Sequence, residues 1–282
     1  MAGKLIVIPT PIGNLKDVTE RSLEALRSVD LIAAEDTRHT LKLLNYFAIK
    51  NSLFSYHEHN KREAGEKLIG RLLRGDTIGI VTDAGMPGIS DPGSDLIKDA
   101  IENAIEIEVL PGPSAFVNGL ILSGLDTREF YFVGFLDRNK KVRKKKLNEL
   151  KNLRVTLIFY EAPHRIVSIM KDISEVLGNR KISVARELTK KFEEVLRGTV
   201  DEIIEILQNR SIKGEFVIVI EGNTEEEIKK EFKFTVKEDL IKRISEGISK
   251  KDAIKEIASE RDIPKREVYQ EAIDIDGKKE PC

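Results

Sequence analysis

The stretch IVTDAGMPGISDPGSDLI, from Ile80 to Ile97, joins a short apolar run to a helical pattern through a long series of turn residues. It contains three glycines, two prolines and three aspartates. Glycine lets the backbone adopt positive φ or approach a ligand closely, and proline stiffens the path between such points. Because ligands bind outside the carboxyl ends of strands in open α/β sheets, the stretch predicts a ligand site. The alternative is a surface loop capped by Asp91 or Ser94.

Apolar runs alternate with helical patterns on both sides of this loop. One series of strands is predicted at 4–9, 31–36, 77–83 and 105–112, and a second at 129–135, 154–160, 181–187 and 215–222. Continuous apolar strands separated by helices indicate sheets that are covered on both faces. We therefore predict an α/β fold with an N-terminal lobe over residues 1–111 and a second α/β lobe over 112–223.

The remaining C-terminal segment has a different composition. Residues 224–236 are highly charged, and we predict a linker there. Residues 237–282 contain three short helical patterns, with a break at Gly247 and a new start at Pro264. This is the layout of a helix-turn-helix. A small helical cap on the main body has the same pattern, and the sequence alone favours neither interpretation.

The composition excludes several classes of protein. Apolar residues make up 40% of the 282 residues, which is enough for a core and argues against general disorder. The formal net charge of −1 provides no global attraction to nucleic acid or membranes. The single cysteine, Cys282, excludes an internal disulfide, and His57 and His59 lack an evident third ligand, so we predict no metal site. No apolar run reaches the roughly 18–20 residues of a membrane span, and the N-terminus does not read as a secretory signal, so we expect a cytoplasmic protein.

Two further loops follow strands in the same way, PTPIGNL at 9–15 and LPGPSAF at 110–116. Three such loops at strand ends can line one crevice, where Asp83 would accept hydrogen bonds from a donor-rich ligand. None of the loops has the G-x-G-x-x-G or G-x-x-x-x-G-K-[ST] pattern. The ligand is therefore not indicated to be a dinucleotide or a phosphate held by a P-loop.

Nine motifs in the sequence carry a resemblance to a known family. In order along residues 4–222 they are IPTPIGNLKDVTERSLEAL, AEDTRHTLKLL, SYHEHN, VTDAGMPGISDPG, LPGPSAF, GFL, FYEAPHR, ARELTKKFEE and GEFVIVIEG. With them the chain resembles the tetrapyrrole methylase superfamily and, within it, the ribosomal RNA small-subunit methyltransferase I subfamily. Small-molecule members of the superfamily carry a GDP loop where this chain has TDAG, which favours the RNA-modifying branch.

The resemblance implies two lobes with S-adenosylmethionine, the methyl donor, in the cleft between them. Carried over position by position, the donor-binding residues are Pro11, Asp83, Ala84, Gly85, Ile89, Ser90, Ser114, Ala115, Tyr160, Ala185, Gly214 and Glu215. For Ile89, Ala115 and Ala185, packing in the core is the competing interpretation.

The implied reaction is methyl transfer to the ribose 2′-hydroxyl of a cytidine in 16S rRNA, which the resemblance places at cytidine 1402 of the decoding region. A hydroxyl is a poor nucleophile at neutral pH, so a general base is expected. The candidates for catalysis in the motifs are Glu161, His164, Arg186 and Glu187. The motif AEDTR adds Glu35, Asp36 and Arg38. Helix capping and ion pairing between the lobes are the alternatives for these residues.

Basic residues near the cleft are expected to hold the RNA. The segment 137–151 has eight basic residues against two acidic ones, although a solvated helix face has the same composition. The predicted RNA contacts are Arg38, Arg143, Lys144, Lys145, Lys146, Arg165, Lys265 and Arg266. The predicted partners are 16S rRNA or the small ribosomal subunit and, by resemblance, a second copy in a homodimer. The competing functions are a methylase of a tetrapyrrole-like small molecule and a non-catalytic nucleic-acid-binding protein.

Overall fold

The structure, a computed structural model, describes residues 3–224, 232–261, 263–273 and 275. The chain forms two compact units that divide after Thr224. Of the segment predicted as a charged linker, 224–236, residues 225–231 lie outside the described residues. Cys282 also lies outside them.

The first half of the larger unit is built on a parallel sheet. Its strands are β1 (Lys4–Val7), β2 (Leu31–Ala34), β3 (Leu53–Ser55), β4 (Ile78–Val81) and β5 (Glu106–Val109). Its helices are α1 (Glu20–Ser28), α2 (Thr37–Tyr46), α3 (Lys61–Leu73) and α4 (Gly93–Glu102). The strand order is β3-β2-β4-β1-β5, and every pairing is parallel.

Burial on both faces explains why the apolar strand runs are continuous. All four residues of β2 and of β4 are buried. Alternate residues of β1 enter different cores, Leu5 and Val7 on one side of the sheet and Ile6 on the other. Strand β3 was not predicted, because only three residues form it and all are at least partly exposed.

A mixed sheet forms the second half of this unit. Its strands are β6 (Phe130–Phe135), β7 (Thr156–Glu161), β8 (Lys181–Arg186), β9 (Glu194–Thr199) and β10 (Phe216–Ile220). Its helices are α5 (Ala115–Ser123), α6 (Lys140–Leu150), α7 (Ile166–Leu177) and α8 (Val200–Gln208). The order is β6-β7-β10-β8-β9, in which β6 and β7 are parallel and the other pairs are antiparallel.

Helix α5 follows the first sheet in sequence and packs on the second. Its Leu120 lies in a core with Ile158 and Val217. At Gly119 a Cβ would come within 2.5 Å of Val217 Cγ1, so a side chain there would force α5 away from β10. The opposite face of this sheet is covered by α6, α7 and α8 around a second core.

The smaller unit is a bundle of three short helices, α9 (Val236–Ser245), α10 (Lys250–Glu260) and α11 (Lys265–Ile273). Thr235 and Glu238 form a capping box at the start of α9, and Gly247 takes a φ of 92° where the chain turns into α10. The core consists of Leu240, Ala253, Ile254, Ile257, Ala258, Val268 and Ala272. Two α/β sheets followed by C-terminal helices confirm the predicted fold class. Among the described helices, none combines the length and apolar character that crossing a bilayer requires.

Candidate functional site

The loop between β4 and α4 is held in one conformation by its own aspartate and by the first loop of the chain. The carboxylate of Asp91 accepts hydrogen bonds from the backbone N–H groups of Gly88 and Gly93, each at 2.8 Å. Thr10 and Gly85 exchange two backbone hydrogen bonds, at 2.9 and 3.0 Å. Gly85 takes a φ of 87°, which favours glycine. The loop is therefore capped by Asp91 and also joined to the loop after β1.

A cavity of about 300 Å³, here called the donor cavity, lies between the two sheets, within the usual size range of small-molecule sites. Both halves of the larger unit contribute to its wall. Nine of the twelve residues predicted to bind the donor line it: Asp83, Ala84, Gly85, Ile89, Ser90, Ser114, Ala115, Tyr160 and Glu215. Ile89 is 40% exposed at the cavity, which contradicts the interpretation of this residue as core.

Three predicted donor residues lie elsewhere. Pro11 lines a neighbouring cavity, described below. Ala185 is buried in the core under α5, so packing describes its side chain and the expectation that it faces the donor is corrected. Gly214 takes a φ of 90°, and a Cβ there would overlap the carboxylate of Glu187. Its role is therefore to let the chain approach Glu187.

Asp83 is one of the acidic residues in the wall of the donor cavity. Its Oδ1 accepts a hydrogen bond from the backbone N–H of Asp36 at 3.1 Å. Burial, together with the nearby carboxylate of Glu35, raises the pKa of Asp83 above its usual value. Glu35 also lines the cavity, and its Oε2 accepts a hydrogen bond from the hydroxyl of Thr82 at 2.7 Å.

Glu161, at the end of β7, also contributes to the wall of the donor cavity. It is 1% exposed, and its Oε1 accepts a hydrogen bond from the N–H of Ala162 at 2.8 Å and lies 3.3 Å from Nε of Arg165. Within the described residues its Oε2 is buried without a partner. Burial raises the pKa of Glu161. Since a buried polar atom without a partner costs free energy, this oxygen suits a ligand that brings a hydrogen-bond donor.

An aromatic wall closes the cavity on the side of the second sheet. The hydroxyl of Tyr160 accepts a hydrogen bond from the N–H of Phe116 at 3.0 Å. Its ring centroid lies 5.1 Å from that of Phe132 and 5.5 Å from that of Phe135. Burial raises the pKa of Tyr160 to about 12, so the hydroxyl stays neutral in the physiological range.

The four predicted catalytic residues are not brought together. Glu161 and Glu187 line the donor cavity, and Nζ of Lys190 lies 2.9 Å from Glu187 Oε1. His164 is exposed and lies outside the lining of the cavity. Arg186 forms an ion pair with Glu194, with Nη2 and Oε2 3.2 Å apart, but both residues lie in the second lobe, so this is not the predicted pairing between the lobes.

The structure corrects the prediction that Arg143 contacts RNA. Arg143 is 6% exposed, and its Nη2 lies 2.6 Å from Oδ2 of Asp172, which is equally buried. Its Nη1 donates to the backbone carbonyls of residues 137 and 138. All three guanidinium nitrogens are used inside the protein, so none is left for a phosphate.

The other predicted RNA contacts occupy different surroundings. On α6, Lys145 is exposed, whereas Lys144 lies 2.5 Å from Glu175 and Lys146 lies 3.8 Å from Glu149. Elsewhere in this unit Arg38 is exposed and paired with Asp36, while Arg165 donates to the carbonyl oxygen of residue 136. In the smaller unit, Lys265 and Arg266 are exposed and line a concave surface with Lys250, Lys251, Lys255 and Tyr269.

Several residues that line the donor cavity were not predicted as site residues, namely Ile12, Thr82, Met86, Asp91, Phe135, Leu188, Lys190, Phe216 and Val217. Most of them are immediate neighbours of residues that were predicted, so adjacency within the motifs was the available signal. In the described ranges, no three histidine, cysteine or acidic side chains are grouped as ligands for a metal ion.

Comparison with known proteins places the chain in a family. The family model for tetrapyrrole (corrin/porphyrin) methylases matches residues 4–204. A protein of Bacillus subtilis (strain 168) named ribosomal RNA small subunit methyltransferase I is 48% identical, over 95% of this chain and 93% of the relative. A protein of Synechocystis sp. with the same name is 41% identical, over 98% of this chain and 99% of the relative.

Solved structures share the fold at low identity. Uroporphyrin-III C-methyltransferase from Thermus thermophilus, complexed with S-adenosyl homocysteine, is 17% identical with a TM-score of 0.56, over 77% of this chain and 97% of that one. A diphthine synthase is 15% identical with a TM-score of 0.61, over 79% of this chain and 92% of that one. Since the family model covers most of the chain and the relatives match nearly its full length, the chain belongs to the tetrapyrrole methylase family and, within it, to the ribosomal RNA small subunit methyltransferase I group.

Proposed function

We propose that this protein methylates the 2′-hydroxyl of a cytidine in 16S rRNA, cytidine 1402, with S-adenosylmethionine as the methyl donor. The observation that carries the proposal is the match to relatives named ribosomal RNA small subunit methyltransferase I. This match extends along nearly the whole chain and includes the helical unit. The donor cavity supports it, because its wall unites the loop around Asp83 with Tyr160 and Glu161 of the other sheet.

The residues of the donor cavity suit S-adenosylmethionine. When bound, this molecule supplies an electrophilic methyl group on a sulfonium sulfur. The carboxylates of Asp83 and Glu161 offer acceptors for hydroxyl or amino groups, and Glu161 Oε2 has no other partner among the described residues. Ser114, which precedes α5, makes no side-chain capping hydrogen bond, so its hydroxyl remains available to a ligand. Fixing the reacting groups in line supplies much of the acceleration in such a transfer.

Asp83 is the general base in this proposal. The attacking hydroxyl oxygen bonds to the methyl carbon as the carbon–sulfur bond breaks, and the hydroxyl proton passes to the Asp83 carboxylate. A base is more effective when its pKa is raised toward the working pH, and burial and Glu35 raise that of Asp83. Of the earlier candidates, Glu161 and Glu187 fit donor binding better, because both lie on the donor cavity.

Mass mapping of 16S rRNA tests the proposed function. In cells that lack this gene, we expect one ribose methyl group to be missing from the small-subunit rRNA. The wild-type gene should restore it, and a gene encoding Asp83→Asn should not. An rRNA whose methylation is the same with and without the gene would contradict the proposal, and would favour a small-molecule substrate or a non-catalytic nucleic-acid-binding role.

The lysines of α6 are proposed to hold the RNA backbone. Replacing Lys144, Lys145 and Lys146 together by glutamine should weaken RNA binding and flatten its salt dependence, by up to about one unit of log–log slope per lost phosphate contact. The decrease in this slope should be smaller than three full contacts would give, because Lys144 and Lys146 already have acidic neighbours. Filter binding across a salt series measures the slope, and donor affinity serves as the control. An unchanged slope would show that this run is only a solvated face.

A further inference from the structure

A second cavity, of about 750 Å³, opens beside the donor cavity. The two cavities share six residues in their walls, namely Ile12, Thr82, Asp83, Ala84, Lys190 and Glu215. The second cavity also reaches the loop after β1, including Pro11, and one face of α2. A group placed in it therefore lies next to the carboxylate that we propose as the base, without occupying the space of the donor.

One face of α2 gives this second cavity its chemical character. His39, Lys42 and Tyr46 all line it, and their spacings of three and four residues put them on the same side of the helix. All three are exposed, and Tyr46 is 60% exposed. Within the described residues the hydroxyl of Tyr46 and the ammonium of Lys42 have no hydrogen-bond or ion-pair partner. These side chains do not belong to the core of the lobe, to which α2 contributes Leu43 and Leu44.

The opposite wall of the second cavity is less positive. Lys190 reaches it, but its ammonium lies 2.9 Å from Glu187 and 3.8 Å from Glu215. The cationic group that remains for a ligand is the ammonium of Lys42, and the ring of His39 on the same face offers an N–H donor. An aromatic ring with a cation beside it is a combination with which proteins bind single-stranded RNA, because every base has a face to stack and every linkage has a charge.

We infer that the second cavity receives the target nucleotide, with its base stacked on Tyr46 and its flanking phosphates at Lys42 and His39. This inference rests on the proposed function and adds to it the site that holds the RNA substrate. With the base on α2, the ribose lies toward the shared wall, and its 2′-hydroxyl is presented to Asp83 between the two cavities. Tyr46 and Lys42 thus act on binding of RNA, and the donor cavity is formed without them.

Kinetics of the full-length protein on small subunits from the deletion strain test the inference. Tyr46→Ala should raise the KM for subunits by about 10- to 100-fold, the size expected for one lost base–aromatic stack. Tyr46→Phe, which keeps the ring, should stay within about threefold of the wild type. Lys42→Glu should also raise the KM. Lys50→Glu is the matched control, because Lys50 is exposed in the same lobe and lies outside the lining of both cavities. Calorimetry with S-adenosyl homocysteine should give the same affinity for all four variants.

The possible outcomes separate this inference from the proposed function. If the wild-type protein does not methylate the subunits, the proposed function fails. If it does, and Tyr46→Ala keeps the wild-type KM, the inference on the second cavity is overturned while the function stands. A fall in donor affinity equal to the rise in KM also overturns it, since Tyr46 would then act through the donor. Thermal unfolding identifies any misfolded variant. If Tyr46→Ala is misfolded, the KM and donor affinity of Lys42→Glu test the inference by the same criteria.

Discussion

An Asp83→Asn variant should transfer the methyl group about 10²- to 10⁴-fold more slowly than the wild type, the usual contribution of a positioned general base. The amide cannot take the hydroxyl proton. Its oxygen can still accept the hydrogen bond that Asp36 N–H donates to Asp83 Oδ1 at 3.1 Å, so the loop should keep its shape. Donor affinity should fall by up to about tenfold, because the amide oxygen still accepts a hydrogen bond but lacks the charge of the carboxylate. Single-turnover kinetics and calorimetry measure the two effects separately.

The pH dependence of the same variant provides its control. Glu35, Asp36 and His39 also face Asp83, and burial followed by Glu35 raises its pKa. The wild-type rate should therefore fall as the pH drops through this raised pKa, and the rate of Asp83→Asn should lack that step. The charged form is disfavoured in the fold, so its cost to stability is present above the folded pKa and disappears below the ordinary aspartate pKa of about 4. Asp83→Asn should accordingly unfold at a higher temperature at neutral pH. A variant with the wild-type rate at pH 7 would exclude Asp83 as the base.

Arg143→Ala should lower the free energy of unfolding by about 3–5 kcal/mol, the usual result of removing one partner from a buried ion pair. Asp172 would be left buried without the guanidinium that contacts it at 2.6 Å, and the ammonium groups of Lys140 and Lys144 lie farther away, at 3.6 and 4.0 Å. The variant would also lose the hydrogen bonds to two backbone carbonyls before α6. Urea denaturation of the full-length protein, followed by circular dichroism, measures the loss.

Lys145→Ala is the matched control, since Lys145 lies on the same helix and is exposed. Its free energy of unfolding should stay within about 0.5 kcal/mol of the wild type. Replacing both Arg143 and Asp172 by apolar residues should cost less than the sum of the single changes, because no unpaired charge remains. If Arg143→Ala keeps wild-type stability but binds RNA more weakly, the original prediction of an RNA contact would be right after all.

Arg143 is buried and Lys145 is exposed, and this difference shows what the sequence could and could not predict. Composition does not distinguish the basic residues of the run KKVRKKK, and on that basis Arg143 was assigned to RNA together with Lys144, Lys145 and Lys146. Helical periodicity held a further signal, since Arg143, Leu147 and Leu150 are four and three residues apart and all are buried. Only the structure shows that Asp172, on another helix, is the partner that makes burial of the arginine possible.

Strand prediction succeeded where burial is complete, and the two strands that were missed, β3 and β9, have no buried residue, although β5, which also has none, was predicted. All residues of β4 and β10 are buried, and both runs were recognised. Strand β9 contains Glu194 and Arg197 and has no buried residue, so its pattern does not differ from that of a loop. Its pairing with β8 is a tertiary effect that local sequence does not encode.

The residues of the candidate site could be predicted within each motif, but most of the relations between separate motifs could not. The three Gly- and Pro-rich loops do converge, and nine predicted residues line one cavity. The face of α2 was not recognised, because its basic and aromatic residues are separated in sequence and acquire a common direction only on a helix. The shared position of Asp83 between two cavities is likewise a property of the assembled sheets.

The donor cavity draws on residues from Ile12 to Val217, and this has a consequence during translation. A nascent chain can complete its parallel sheet once Val109 has left the ribosome, but the wall of the donor cavity is complete only when β10 is in place. Ligand at one hundred times its dissociation constant adds about 2.7 kcal/mol to a protein that binds it only when folded. With S-adenosylmethionine bound there as proposed, only full-length copies gain this stabilisation. We therefore expect proteases to degrade truncated products faster than full-length ones.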